Sequence, residues 1–165
     1  MAKDSSFDIV SEPDWGEIAN AVHQAQQEAG QRFDFRGHDV EIRWDRKAAL
    51  ITVEAPAGLV LEAAVALVEQ RLARRGVPLR FLAPGDPEPR GGDRAQVVLT
   101  VRHGIPPDVA KRIQQAVRAL KLKVDVAIQG DALRVSGKQK DDLQAVIRHL
   151  KSQDFGVELA FTNYR

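Results

Sequence analysis

At 165 residues with 44% hydrophobic and 28% charged side chains, the chain has a globular composition and is long enough for one ordinary domain or two small ones. It contains no cysteine, which excludes disulfides, thiolate metal sites and cysteine nucleophiles. The net charge of +1 conceals an asymmetry: residues 1–94 carry 12 Lys and Arg against 16 Asp and Glu, and residues 95–165 carry 12 against 7, so the second half is the expected host of an anionic ligand.

In chain order, residues 6–10 (SFDIV) read as a short strand. Ser11 and Pro13 precede a helix expected to run to about residue 31, with Trp15, Ile18, Val22, Ala25 and Ala29 as its apolar stripe. The motif Arg32-Phe33-Asp34-Phe35-Arg36-Gly37 breaks that period. Val40, Ile42 and Trp44 then alternate, a turn falls at residues 45–48, and Ala49, Ile51 and Val53 alternate on the return, the pattern of a hairpin. A second helix over about residues 59–75 turns Val60, Ala64, Leu67, Val68 and Leu72 inward and stops at Gly76. Val77, Leu79 and Phe81 alternate as a further strand.

Residues 83–94 (APGDPEPRGGDR) hold three Pro and three Gly, the composition of a linker, so the expected division is a first domain at 1–82 and a second at 95–165. Past it, Val97, Leu99 and Val101 form a strand, and Pro106 and Pro107 open a helix with Val109, Ile113, Val117 and Leu120 inward. Val124, Val126 and Ile128 alternate, Gly130-Asp131 supplies a two-residue turn, and Leu133 and Val135 continue the same apolar face. From Asp141 the period becomes helical, with Leu143, Val146, Ile147 and Leu150 in one stripe, and Val157, Leu159 and Phe161 close the chain as a strand.

Both halves thus read strand, helix, strand, strand, helix, strand. Two copies of βαββαβ predict an α+β protein of two ferredoxin-like sandwiches, each a four-stranded antiparallel sheet with two helices on one face. Periodicity leaves open whether terminal strands, residues 7–10 and the closing strand, are exchanged between the sheets. No apolar run approaches membrane length and the amino-terminal stretch has no leader pattern, so a cytoplasmic protein is expected.

No catalytic constellation can be assembled. The P-loop, G-x-G-x-x-G, G-x-S-x-G and H-E-x-x-H patterns are absent, and His23, His38, His103 and His149 lack ligand spacing, so neither catalytic residues, a metal nor a cofactor is expected. Asp141 and Asp142 fall in a first helical turn, where carboxylates complement the macrodipole. The expected outward sheet positions are Asp8 and Val10 beside Leu50, Thr52 and Glu54 in the first repeat, and Gln96, Val98, Thr100 and Arg102 beside Ala132, Arg134 and Ser136 in the second. None is aromatic, which disfavours base stacking on an open sheet.

Two stretches have the residue types for a nucleotide. In Ser136-Gly137-Lys138-Gln139-Lys140 a glycine admits close backbone approach ahead of a helix amino terminus, Lys138 and Lys140 supply cations, and Arg134 projects from the neighbouring strand. Lys121 and Lys123 are expected at a separate edge. In the other stretch Arg32 and Arg36 suit phosphate or a guanine edge, Asp34 suits guanine amino groups, and Phe33 and Phe35 can either stack or plug the core. Phe81, with Arg80 and Arg75, is a third aromatic-plus-cation group, in phase with core positions.

Several phrases resemble the YajQ family of small bacterial proteins: Ser6-Phe7-Asp8-Ile9-Val10-Ser11, Arg32-Phe33-Asp34-Phe35-Arg36-Gly37, Arg75-Gly76-Val77 and Gly104-Ile105, followed by Leu120-Lys121-Leu122-Lys123-Val124, Ile128-Gln129-Gly130-Asp131, Arg134-Val135-Ser136-Gly137-Lys138, Lys140-Asp141-Asp142-Leu143-Gln144 and Phe161-Thr162-Asn163-Tyr164-Arg165. The resemblance implies two ferredoxin-like domains, a cytoplasmic location and nucleotide binding without a catalytic residue set. Family members are described as binding cyclic di-GMP, or purine nucleotides and RNA, and as regulators acting through partners. The expected function is therefore a non-catalytic effector that binds a purine nucleotide or cyclic di-GMP and works through a partner. The alternative is an RNA-binding module whose basic carboxy-terminal half tracks a phosphate backbone.

Overall fold

The computed structural model describes residues 4–165; the first three residues of the amino-terminal stretch lie outside the described residues. The chain forms two compact units, residues 13–102 and residues 4–12 with 103–165.

Residues 4–12 contribute one strand, β1 (Ser5–Val10), and the chain then builds the 13–102 unit from α1 (Trp15–Ala29), β2 (Glu41–Asp45), β3 (Leu50–Pro56), α2 (Leu59–Arg74), β4 (Leu82–Pro84), β5 (Glu88–Pro89) and β6 (Arg94–Val101). Its sheet is antiparallel in the order β2-β3-β6-β4, with β5 also paired to β6. Alternation decides the faces: Ile51, Val53 and Ala55 lie opposite Leu99, Val97 and Ala95, and all are buried with Ile18, Val22, Leu67, Val68 and Leu72 of the two helices. Both helices therefore cover one side of the sheet.

The second unit adds α3 (Pro107–Ala119), β7 (Val124–Gln129), β8 (Ala132–Gly137), α4 (Lys140–Lys151) and β9 (Ala160–Thr162) to β1, in the antiparallel order β7-β8-β1-β9. Phe7, Ile9, Leu133 and Val135 face Ile113, Val117, Val146 and Leu150 in one core. Gln129 pairs with Ala132 across the two-residue turn, where Gly130 takes a φ of 63° at no steric cost. Each unit also has a glutamine from its first helix on its outermost strand: Gln26 donates to the Ile42 carbonyl at 2.7 Å, and Gln114 donates to that of Val126 at 3.1 Å. These bonds satisfy edge carbonyls that would otherwise offer a pairing template.

The structure corrects several expectations. The exchange involves the two leading strands: β1 pairs with β8, and β6 with β3, so residues 83–94 do not divide the units. Two physical features favour this pairing. The eight-residue β6 matches the seven-residue β3, and the six-residue β1 matches the six-residue β8. Opposite charges also meet across both seams, Asp8 against Arg134 and Arg94 against Glu54. Residues 83–94 form no free linker, since β4 and β5 both pair with β6. The strand expected at 77–81 is a 3-10 turn, Leu79–Phe81, and β4 starts one residue later. Pro78 accounts for this, having no N–H to give a ladder. The closing strand likewise starts late, at Ala160, with Val157 and Leu159 half-buried ahead of it.

Candidate functional site

Exchange of the leading strands redistributes the expected sheet faces. Asp8 shares its face with Arg134 and Ser136, and Gln96, Val98 and Thr100 share theirs with Glu54, Thr52 and Leu50. Redrawn by unit, the charge asymmetry shrinks: residues 1–12 with 103–165 hold 12 Lys and Arg against 10 Asp and Glu, and residues 13–102 hold 12 against 13. Local grouping of cations, rather than a basic half, must therefore define any anion site.

In the Arg32–Gly37 motif most groups are turned on one another. Phe33–Phe35 forms a 3-10 turn that buries Phe35 to 3% exposure and leaves Phe33 at 83%. Arg32 donates from Nε and Nη2 to the two carboxylate oxygens of Asp34, at 2.9 and 2.7 Å, and its guanidinium lies 4.6 Å from the Phe35 ring. That contact holds the Asp34 carboxyl below, and the Arg32 guanidinium above, its usual range. Arg36 lies 5.6 Å from the exposed Phe33 ring. Phe81 is buried in the core of the 13–102 unit.

Arg134 is similarly engaged. It donates to both carboxylate oxygens of Asp8, at 2.9 and 3.4 Å, and Asn163 donates to the same carboxylate at 2.8 Å. Asp8 consequently titrates below the ordinary carboxyl value, through the Arg134 hydrogen bond first and that of Asn163 second. This trio ties β8, β1 and the residue after β9 together on the sheet face away from the helices.

Lys138 and Lys140 are differently placed. Because β7 runs antiparallel to β8, Val124 pairs with Gly137, so Lys123 and Lys138 share one end of the sheet instead of lying at separate edges. Both line a pocket of about 490 Å³ together with Asp4, Asp125, Ser136 and Gly137. Lys140 lines a second pocket, of about 300 Å³, with Ser5, Ser6, Phe7, Leu143, Gln144, Ile147, Tyr164 and Arg165. Here Lys140 opens α4, whose first turn has no side-chain cap and carries the carboxylates of Asp141 and Asp142. Among the described residues, neither lysine nor Arg165 takes part in an ion pair. A third groove, of about 420 Å³, lies along α1 and α2, where Arg71 already pairs with Glu28 at 2.7 Å.

Sequence reasoning missed Tyr164, Arg165 and Lys123. Asp8 pairs with Thr162, whereas Ser6 exchanges both backbone hydrogen bonds with Arg165, at 3.2 and 2.9 Å. Phe7 thus opposes two residues, Asn163 and Tyr164, which is a β-bulge, and Asn163 adopts a left-handed φ of 57°. The extra residue shifts the side-chain phase and brings the Tyr164 ring to 6.2 Å from Phe7. The one signal available in the sequence was an asparagine, tolerant of that conformation, directly before Tyr164. Among the described residues no cluster of three or more His, Cys, Asp or Glu could hold a metal ion, and no helix is long and apolar enough to cross a membrane.

Fold and site together define an α+β protein of two antiparallel-sheet units, one of them carrying ligand-sized pockets with cationic rims. The chain belongs to the YajQ-like family: the family model described as nucleotide-binding protein YajQ-like matches residues 5–165, as the quoted motifs led one to expect. It is similar to a nucleotide-binding protein of Carboxydothermus hydrogenoformans, 47% identical over 165 residues that span all of both chains. A nucleotide-binding protein of Alkaliphilus oremlandii is 42% identical and one of Thermosynechococcus vestitus 40%, each over the full length of both chains.

Proposed function

We propose that this protein binds a purine nucleotide without transforming it and transmits occupancy to a partner macromolecule. The observation that carries this is the gathering of Lys123, Lys138 and Lys140 at one end of a single sheet, beside two pockets. The names of the relatives support a nucleotide as the ligand class. Strand orders β7-β8-β1-β9 and β2-β3-β6-β4, each with two helices on one face, support two ferredoxin-like units with exchanged leading strands. Cyclic di-GMP is one candidate ligand, its two phosphates suiting a group of cations.

The same group favours a second function, an RNA module in which the lysines track successive phosphates. Calorimetric titration with adenine and guanine nucleotides, cyclic di-GMP and a single-stranded RNA separates the two. Saturable heat with a free purine nucleotide and shallow salt dependence supports the first. Silence with every nucleotide, together with RNA affinity that falls steeply with salt, replaces it by the second.

A further inference from the structure

We infer that the pocket between α4 and the β1 strand holds a single purine nucleotide, its base stacked on Tyr164 and its phosphate between Lys140 and Arg165. This rests on the nucleotide-binding function proposed above and names the occupant and pose.

An aromatic side chain gains by burial, yet Tyr164 is 61% exposed at the pocket rim, its ring tilted toward that of Phe7. A planar base laid against the ring removes that exposed face from water, and a purine covers more of it than a pyrimidine does. Leu143 and Ile147 give the pocket an apolar floor, while Ser5, Ser6 and Gln144 offer hydroxyl and amide groups to a sugar and a base edge.

Charge separates this pocket from its neighbour. Among the described residues no carboxylate side chain lines it, whereas Asp4 and Asp125 line the one containing Lys123 and Lys138. Asp141 and Asp142 sit in the same first turn as Lys140 but off the lining face: Lys140, Leu143, Gln144 and Ile147 follow the i, i+3, i+4, i+7 stripe, which leaves both aspartates to other sides of α4. At about 300 Å³ the pocket lies at the lower end of the range for small ligands, suited to one nucleotide and not to two.

The aim of Tyr164 depends on the bulge. Without the extra residue the tyrosine would oppose Ser6 and point to the other face of the sheet. Asn163 is therefore a positioning residue, and its hydrogen bond to Asp8 links the pocket to the Asp8–Arg134 pair. Arg134, expected from sequence to touch the ligand, acts in this scheme through Asp8 and Asn163.

Tyr164 is the chain's single tyrosine, so 13C-tyrosine labelling gives one ring signal to follow. Titration with AMP or GMP is expected to move that signal upfield, the mark of ring stacking, and ribose 5-phosphate is expected to leave it in place. Tyr164→Leu should weaken purine nucleotide binding by about 5- to 100-fold, and Lys140→Gln by about tenfold. Lys47→Gln, in the hairpin turn of the other unit, should stay within about twofold, as a distant surface charge does. Asn163→Gly, which keeps the left-handed backbone, should retain binding, and Asn163→Val should displace both the ring signal and the affinity. If calorimetry shows binding while the Tyr164 signal stays still and Tyr164→Leu binds as wild type, the pocket assignment is overturned and nucleotide binding stands. A response to cyclic di-GMP without one to AMP or GMP overturns the single-nucleotide occupant. Absence of binding at millimolar nucleotide overturns both.

Discussion

Phe7→Ala tests the strand exchange directly, because Phe7 lies near the start of the chain yet is fully buried in the core built from residues 105–155. Its ring stands 6.0 Å from that of Phe161 and 6.2 Å from that of Tyr164, so alanine leaves a cavity walled by groups that cannot all collapse into it. Truncation of a buried phenylalanine costs about 3–5 kcal/mol. The unit concerned comprises 75 residues, counting 1–12 and 103–165, and at about 0.05–0.15 kcal/mol per residue its whole stability is about 4–11 kcal/mol. The loss is thus about a quarter of the total or more. Hydrogen exchange read by mass spectrometry is the assay, since it reports on each unit separately. Slow amides of β7, β8 and α4 should lose protection by about 100- to 4,000-fold, while those of β2, β3 and α2 keep theirs. Leu99→Ala should do the reverse, loosening residues 13–102 although it lies in the sequence's second half. Loss of protection in β2 and β3 on changing Phe7 would refute the pairing of β1 with β8.

Three further outcomes are expected. Asp8 titrates below its ordinary value in the folded state, so its contribution to stability is complete above the unfolded-state pKa and is lost as pH falls through the folded one. Urea midpoints between pH 7 and pH 2 should therefore show an acid-side decline below about pH 4 that is smaller in Asp8→Asn; equal declines would sever the carboxylate from the effect. A Cβ added at Gly137 would stand 3.0 Å from the Lys123 carbonyl oxygen and 3.1 Å from a Val124 methyl. Gly137→Ala should accordingly lower stability by about 1–3 kcal/mol, seen as a lower denaturant midpoint at constant slope. Phe35→Ala should cost about 3–5 kcal/mol and Phe33→Ala less than about 0.5 kcal/mol; similar thermal shifts for the two would contradict their opposite burial.

The hairpins and helices could be read from the residues alone. Val124, Val126 and Ile128 alternate around Gly130 in a way only a strand pair satisfies, and the stripe of Leu143, Val146, Ile147 and Leu150 fits one helical face. The site was legible in part. The structure places Lys138 and Lys140, both picked out from the residues, at the rims of pockets. Arg32, Asp34 and Arg134 looked equally suitable as isolated side chains, but each has a charged partner that occupies it. Tyr164 could not be aimed by counting, because a bulge resets the period of two that sequence reading relies on.

What the sequence determined by itself is the four helices, the two hairpins and the family to which the chain belongs, while residues 77–94 were misread. Which sheet each leading strand joins was decided by tertiary structure. Phe7 and Ile9 alternate as Val97 and Leu99 do, so each strand presents an apolar face acceptable to either core, and local periodicity is blind to the difference. Strand length and the two cross-strand ion pairs resolve it, and the Asp8–Arg134 pair joins residues 126 positions apart. Such contacts exist only once the chain has brought the strands side by side.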